Sequence, residues 1–195
     1  MSHCGISRRR LIAGTAAAAA LSQVSAESLP IALARREAVV YQTTSLTAEG
    51  VIAALWSVQS TLKGRIAVKL HTGEPHGPNI LPREWVKALI NELPDAVIGE
   101  TNTLYGGPRA SASRHRETLV TNGWTFAPVD ILDEEGGTSW PIAGGRRLRS
   151  VTVGSHLDRY DSMLVLTHFK GHGMAGFGGS LKNVAIGCAS GREGK

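Results

Sequence analysis

Arg65-Ile-Ala-Val-Lys-Leu70, Pro82-Arg-Glu-Trp-Val-Lys-Ala-Leu-Ile-Asn-Glu-Leu93 and Ala96-Val-Ile-Gly99 follow one another along the chain, and their reading decides the fold. The outer two are short apolar runs containing β-branched residues, the pattern of buried strands. The middle stretch puts Trp85, Val86, Leu89, Ile90 and Leu93 on one face of a helix. Pro82 fits the first turn of that helix, and Pro94 stops it. Strand, helix and strand in this order make a βαβ unit, which implies parallel pairing.

The alternation continues outward from this unit. Upstream, residues 37–42 read as a strand. Residues 46–62 read as a helix with Val51, Ile52, Leu55 and Leu62 on one stripe and Thr47 as its cap. Downstream, a helix is expected over 113–122, closed by Gly123, then strands over 126–132, 151–153 and 163–167. The turn residues between 133 and 145 read as a plain connection. The expected fold is α/β: a largely parallel sheet, helices on both faces, and Gly-rich loops at the carboxyl ends of the strands. In such sheets ligands gather beyond those carboxyl ends.

Composition limits what the chain does. Its 195 residues are 42% apolar and 19% charged, as expected of one globular domain with a core of its own. Two cysteines exclude a disulfide framework and a four-cysteine zinc site. No stretch supplies the roughly 20 apolar residues of a membrane span.

The amino end reads as an export address. Ser7-Arg-Arg-Arg-Leu-Ile12 precedes an Ala-rich apolar run from 13 to 21, with Val24 and Ala26 in small-residue cleavage positions. The pattern resembles a twin-arginine signal. The organisation it predicts is a signal peptide over 1–26, a linker over 27–36 and a single domain over 37–195. The destination is periplasmic or extracellular, reached folded through the twin-arginine machinery. Cleavage after Ala26 removes Cys4 and leaves Cys188 as a buried apolar thiol, a reactive thiol or a ligand. It also removes three Arg and no acidic residue, so the formal charge falls from +5 to the +2 of 18 basic and 16 acidic residues. Most of the basicity is thus the address, and nucleic acid drops out as a partner.

Three strand-to-loop junctions carry the chemistry: His71-Thr-Gly-Glu-Pro-His-Gly-Pro-Asn79, Thr101-Asn-Thr-Leu-Tyr-Gly-Gly-Pro-Arg109, and His168-Phe-Lys-Gly-His-Gly-Met-Ala-Gly-Phe-Gly-Gly-Ser-Leu-Lys182. Long Gly-rich loops are usually functional or disordered, and basic groups in all three favour function. In the third, Gly178-Gly-Ser-Leu-Lys182 is suited to opening a helix onto a carboxylate or phosphate. Lys170, Gly176, Gly178, Gly179 and Cys188 are the candidate cofactor-binding residues, and His168, His172 and Lys182 the candidate catalytic ones. The alternative is a tight turn that its glycines alone serve, with His172 an ordinary loop histidine. No Walker pattern is present, and Gly171-x-Gly173-x-x-Gly176 lacks the acidic residue of a dinucleotide site. His71, Glu74 and His76 are the candidate metal ligands, although Gly73, Pro75 and Gly77 make their loop irregular. The implied partner is a small anionic ligand or a redox partner.

Two resemblances attach to these stretches. Val68-Lys-Leu-His-Thr-Gly-Glu74, Thr101-Asn-Thr-Leu-Tyr-Gly-Gly107, the run from His168 to Asn183, and Gly187-Cys-Ala-Ser190 resemble domain of unknown function family 362, described as iron–sulfur centre proteins. The resemblance covers about 130 residues from Ile66 onward. It implies an iron–sulfur-associated protein in redox or electron-transfer work. The [4Fe–4S] clusters are expected only from a C-terminal ferredoxin-like module with C-x2-C-x2-C-x3-C runs. No such run occurs in these residues, so the expectation is a chain truncated before that module. More locally, His172-x-x-Ala175-Gly-Phe-Gly-Gly-x-x-Lys182 is similar to a lactate racemase segment. That similarity implies His172 in proton transfer and Lys182 as tether of a metal-containing cofactor, with a small hydroxy or carboxylic acid as substrate. The family's serine falls on Gly178 and its proline on Ile186.

Overall fold

The computed structural model describes residues 38–191. The expected signal peptide and linker lie outside the described residues. The chain enters through α1 (Ala48–Val58), whose start is fixed by Thr47: its hydroxyl oxygen accepts from the Gly50 amide at 3.3 Å. Then follow β1 (Ile66–Lys69), α2 (Arg83–Asn91), β2 (Val97–Glu100), α3 (Ala112–Thr121) and β3 (Val129–Ile131). Pro82 caps α2, and Gly123, at φ +75°, takes the left-handed turn that lets the chain leave α3.

A hairpin of β4 (Gly137–Pro141) and β5 (Ser150–Gly154) leads to β6 (Ser162–Val165), then to a second hairpin of β7 (Lys170–His172) and β8 (Gly176–Gly178), and to α4 (Ser180–Gly187). The main sheet has the order β3-β2-β1-β6, every pair parallel. The α/β expectation is thereby met.

Two apolar clusters hold the sheet. The larger joins Val68, Ile98 and Ile131 of the strands to Leu55 of α1, Val86 and Leu89 of α2, Leu119 of α3 and Trp124. The smaller joins Leu132, Val153, Leu157 and Cys188, with Met163 of β6 packed against it. The carboxyl end of α4 and the strand β5 therefore belong to one layer, which the Gly154 amide ties by donating to the Cys188 carbonyl at 3.0 Å.

Three local expectations are corrected. Residues 38–42 form no strand, and Val39, Val40 and Tyr41 are exposed, because β-branched residues gain little without a neighbouring strand to pair with. The stretch 133–145 is more than a connection: its middle is β4, registered with β5 from Gly137↔Gly154 to Pro141↔Ser150. The glycines and proline that bracket this strand look like turn punctuation in sequence. The segment 168–182 is more ordered than a loop, being the β7–β8 hairpin followed by the first turn of α4.

The second layer explains one glycine. A Cβ on Gly154 would stand 2.5 Å from the Leu132 carbonyl oxygen, whereas one on Gly171 would meet nothing within 4 Å. Gly154→Ala is therefore expected to cost about 1–3 kcal/mol in urea unfolding, with Gly171→Ala nearly neutral. Equal effects of the two would show that the close approach at Gly154 is unimportant.

Candidate functional site

The sheet order defines a reversal. The chain moves outward from β1 through β2 to β3, then returns to the other side of β1 as β6. Beyond the carboxyl ends of β1 and β6 lies the switch-point crevice, the general ligand position in such sheets.

The floor of this crevice is made of charges at strand ends. Lys69 ends β1 and Glu100 ends β2, and both are buried. The Lys69 ammonium donates to Glu100 Oε1, to the Leu70 carbonyl and, at 3.1 Å, to Asn183 Oδ1 of α4, which uses all three of its protons. The other Glu100 oxygen accepts from the Thr72 amide and hydroxyl at 3.3 and 3.0 Å and from Arg109 Nη1 at 3.3 Å. Burial alone would raise the Glu100 pKa, but the cations Lys69 and Arg109 outweigh it and hold the carboxyl at about 2. Arg109 turns its other face to Glu74, donating from Nε and Nη2 at 2.9 and 2.6 Å. Tyr105 completes that corner by donating to Glu74 at 3.1 Å.

Further bonds close the ring. Asp133, two residues after β3, accepts from the amide of Asn102 at 2.8 Å and from the amide of Gly191 at 2.6 Å. Asn183 Nδ2 donates to the Thr167 hydroxyl at 2.9 Å, which clamps α4 over β6. Gly187 leaves no room for a side chain: a Cβ there would lie 2.8 Å from Lys69 Nζ.

Histidines stand around this floor. Burial pushes His71 down to about 4, with Arg109, Lys170 and Lys69 acting against the pull of Glu100. Its imidazole is neutral at pH 7. His115 of α3 is fully buried and likewise lowered to about 4 by burial, and neither ring nitrogen has a hydrogen-bond partner among the described residues.

The hairpin and α4 form the upper edge. The stems of Lys170 and Lys182 pass 3.7 and 3.8 Å from the place a Cβ of Gly178 would occupy. Among the described residues neither lysine forms an ion pair. Burial lowers the Lys170 pKa, and the charge of Lys182 lowers it further. Its ammonium reaches only the Asn79 carbonyl, at 3.5 Å. His172 Nδ1 accepts from the amides of Met174 and Ala175 at 3.3 and 3.1 Å, so the ring proton sits on Nε2. His168, on the connection out of β6, has a buried Nδ1 without a partner among the described residues.

The structure thus gathers His168, Lys170, His172, Gly176, Gly178, Gly179 and Lys182 on one hairpin and helix. His71 joins them across the crevice, where Lys170 is among the charges that it feels. His71, Glu74 and His76 do not gather in the same way. Arg109 engages Glu74, while His76 is exposed and its amide donates to Asn122. No group of three or more His, Cys, Asp or Glu poised for a metal occurs among the described residues. Cys188 is buried, with Sγ 3.9 Å from Met163 Sδ.

Sequence reasoning missed Lys69, Glu100, Asp133 and Asn183 as site residues. The available signal was a charged residue at the end of an apolar strand, in Ala-Val-Lys69 and Ile-Gly-Glu100.

A family model described as domain of unknown function (DUF362) matches residues 66–195. No curated protein and no solved structure matches the chain.

Two predictions test the floor. Glu100→Gln strands the Lys69 charge and is expected to cost about 3–5 kcal/mol, with Lys69→Met in the same chain restoring at least half. Denaturant titration of the three proteins decides this, and a double variant as unstable as the single one refutes the pairing. The second concerns pH. His71 and His115 titrate below their ordinary value in the folded state, so between pH 6.5 and 4 the unfolded chain binds more protons and stability falls with falling pH. Glu100 is depressed, so its contribution is complete above about pH 4.5 and is lost only as pH drops toward 2. Unfolding free energies measured across pH 7 to 4 should flatten in His115→Gln.

Proposed function

The chain belongs to the DUF362 family, and on that premise we propose that it binds a small organic anion in the crevice beyond β1 and β6. The observation that carries the reading is the Lys170–Lys182 pair: two lysine stems converge on one glycine and the charge of Lys182 acts on Lys170, with no carboxylate paired to either among the described residues. Such an arrangement costs energy until an anion arrives. The first turn of α4 adds amides that lack an acceptor within the helix, as at any helix start.

Roles follow from position. Lys170 and Lys182 take the ligand's charge, and Gly176, Gly178 and Gly179 keep the backbone close enough to touch it. His71, neutral beside Lys170, is the base; the His172 Nε2 proton and the His168 ring serve as donors or acceptors. Lys69, Glu100 and Arg109 position these groups and do not themselves meet the ligand, because their bonds are spent on one another.

We assign the site to a redox protein that works with an iron–sulfur module, exported folded to the periplasm or beyond. Its support is the likeness of residues 66–190 to iron–sulfur-associated proteins, together with the arginine leader. A cluster bound by four thiolates does not fit the described residues, where Cys188 is the one cysteine and packs into the smaller apolar cluster. Any cluster held by four thiolates of this chain is therefore not contained in the described residues. A second reading, proton transfer on a hydroxy acid with a cofactor tethered through Lys182, draws on His172, whose ring proton is already held on Nε2.

Calorimetric titration with lactate, malate, oxalate and inorganic phosphate tests the anion site. At least one should bind, and Lys170→Ala and Lys182→Ala should each weaken it about 10- to 100-fold, the worth of a charged hydrogen bond. Binding by none of the four, or binding indifferent to both lysines, overturns the proposal. Iron and sulfide analysis after anaerobic purification of the gene product tests the redox assignment separately.

A further inference from the structure

The hairpin that carries the site's lysines also holds a large exposed apolar surface. Met174 at its turn is 97% exposed, Phe169 73% and Phe177 54%; Leu181 on the outer face of α4 is 81% exposed. Phe169 and Phe177 stack with ring centroids 5.7 Å apart, so the aromatic pair is a formed feature of the surface. Val184, one turn beyond Leu181, is exposed as well. Clustered exposed apolar side chains of this kind mark an interaction surface.

Three observations select what covers it. The first is charge: from residue 162 to 191 there is no Asp or Glu, and Lys170 and Lys182 flank the apolar group. A second copy related by a two-fold axis would bring these lysines against their own equivalents, whereas an anionic surface complements them. The second is shape. The apolar groups project from a narrow hairpin of two three-residue strands, with Met174 at its turn the most exposed of them. The third is backbone satisfaction. Lys170↔Gly178 and His172↔Gly176 pair within the hairpin, and the amides at the turn, Met174 and Ala175, both donate to the His172 ring. Two of the three turn amides thus already have an acceptor, which lowers the cost of entering an apolar phase relative to a turn that must shed water from all of them.

We propose that the β7–β8 tip and the outer face of α4 dock onto an anionic lipid surface, with Met174, Phe177 and Leu181 entering the boundary between headgroups and acyl chains and the two lysines at the headgroup level. Among the described residues no helix is long and apolar enough to cross a membrane. The attachment is peripheral.

The test uses the full chain and vesicles of phosphatidylcholine with and without phosphatidylglycerol. Co-sedimentation is expected with the anionic vesicles only, weakening with added salt, each lysine being worth about fivefold. Met174→Asp with Leu181→Asp should reduce binding about tenfold or more. Both side chains are exposed, so an unchanged urea midpoint is expected of this variant. Met174→Trp, which keeps an apolar tip, should show a blue shift in emission relative to wild type when anionic vesicles are added. The leader is controlled by Arg8→Gln, Arg9→Gln and Arg10→Gln in one chain, which should retain binding that depends on the hairpin. Binding that follows the leader and ignores the hairpin overturns the proposal. So does an emission spectrum of the Met174→Trp variant that vesicles leave unchanged. A dimer abolished by the aspartates, without vesicle binding, assigns the surface to a second copy and overturns it too.

Discussion

The carboxylate of Glu100 is the constraint on which the upper half of this structure depends. It ends a buried strand with almost no access to water. A charge in that position is tolerated only when its neighbours replace the lost hydration. Lys69 and Arg109 supply the opposite charge, while Thr72 supplies two further protons. These groups come from β1, from the loop after β1 and from the loop after β2. Bonding Glu100 thus draws three segments to the same point, and Asn183 extends the arrangement to α4 through Lys69. Such a cluster adds little net stability compared with an apolar core, but it penalises any packing that leaves one member alone.

This floor is electrically closed. The charges of Lys69 and Arg109 are answered by Glu100 and Glu74, and all three Lys69 protons are committed. The upper edge is different. Lys170 and Lys182 lie close together without such an answer, and burial works against the charge on Lys170. In the proposed anion site, a neutral scaffold beneath does the positioning and a cationic rim above, with no ion pair among the described residues, does the binding. The histidines fall on both sides of this division. His115 is sealed within the scaffold, while His71 lies where it feels both the Glu100 cluster and Lys170.

The parallel core was legible because its signals are local and periodic: the apolar face of α2, the β-branched runs of β1 and β2, and the stops at Pro94 and Gly123. The hairpin of residues 170–178 was not, since its strands are three residues each and half glycine, a composition that reads as loop. Its pairing is settled by cross-strand bonds and the Phe169–Phe177 stack, which no short window of sequence contains. The rim of the site was visible for a related reason. Lys and His among glycines stand out in a sequence, whereas Lys69 and Glu100 are hidden inside apolar strands, and only their proximity in space, not their spacing of 31 residues, reveals them as partners.

The same hairpin bears the lysines of the proposed anion site and the apolar tip of the proposed lipid contact, which couples the two. Gly179, where α4 begins, lies against the Phe169 ring, and a Cβ there would be 3.4 Å from it. The aromatic pair therefore rests on the turn that positions Lys182. A surface that covers Phe169 and Phe177 lowers the local dielectric around Lys170 and Lys182, while anionic headgroups beside them compete with a bound anion for the same charges. Docking and ligand binding are therefore linked, and whatever free energy the lipid contact adds to or takes from anion binding, the anion adds to or takes from docking equally.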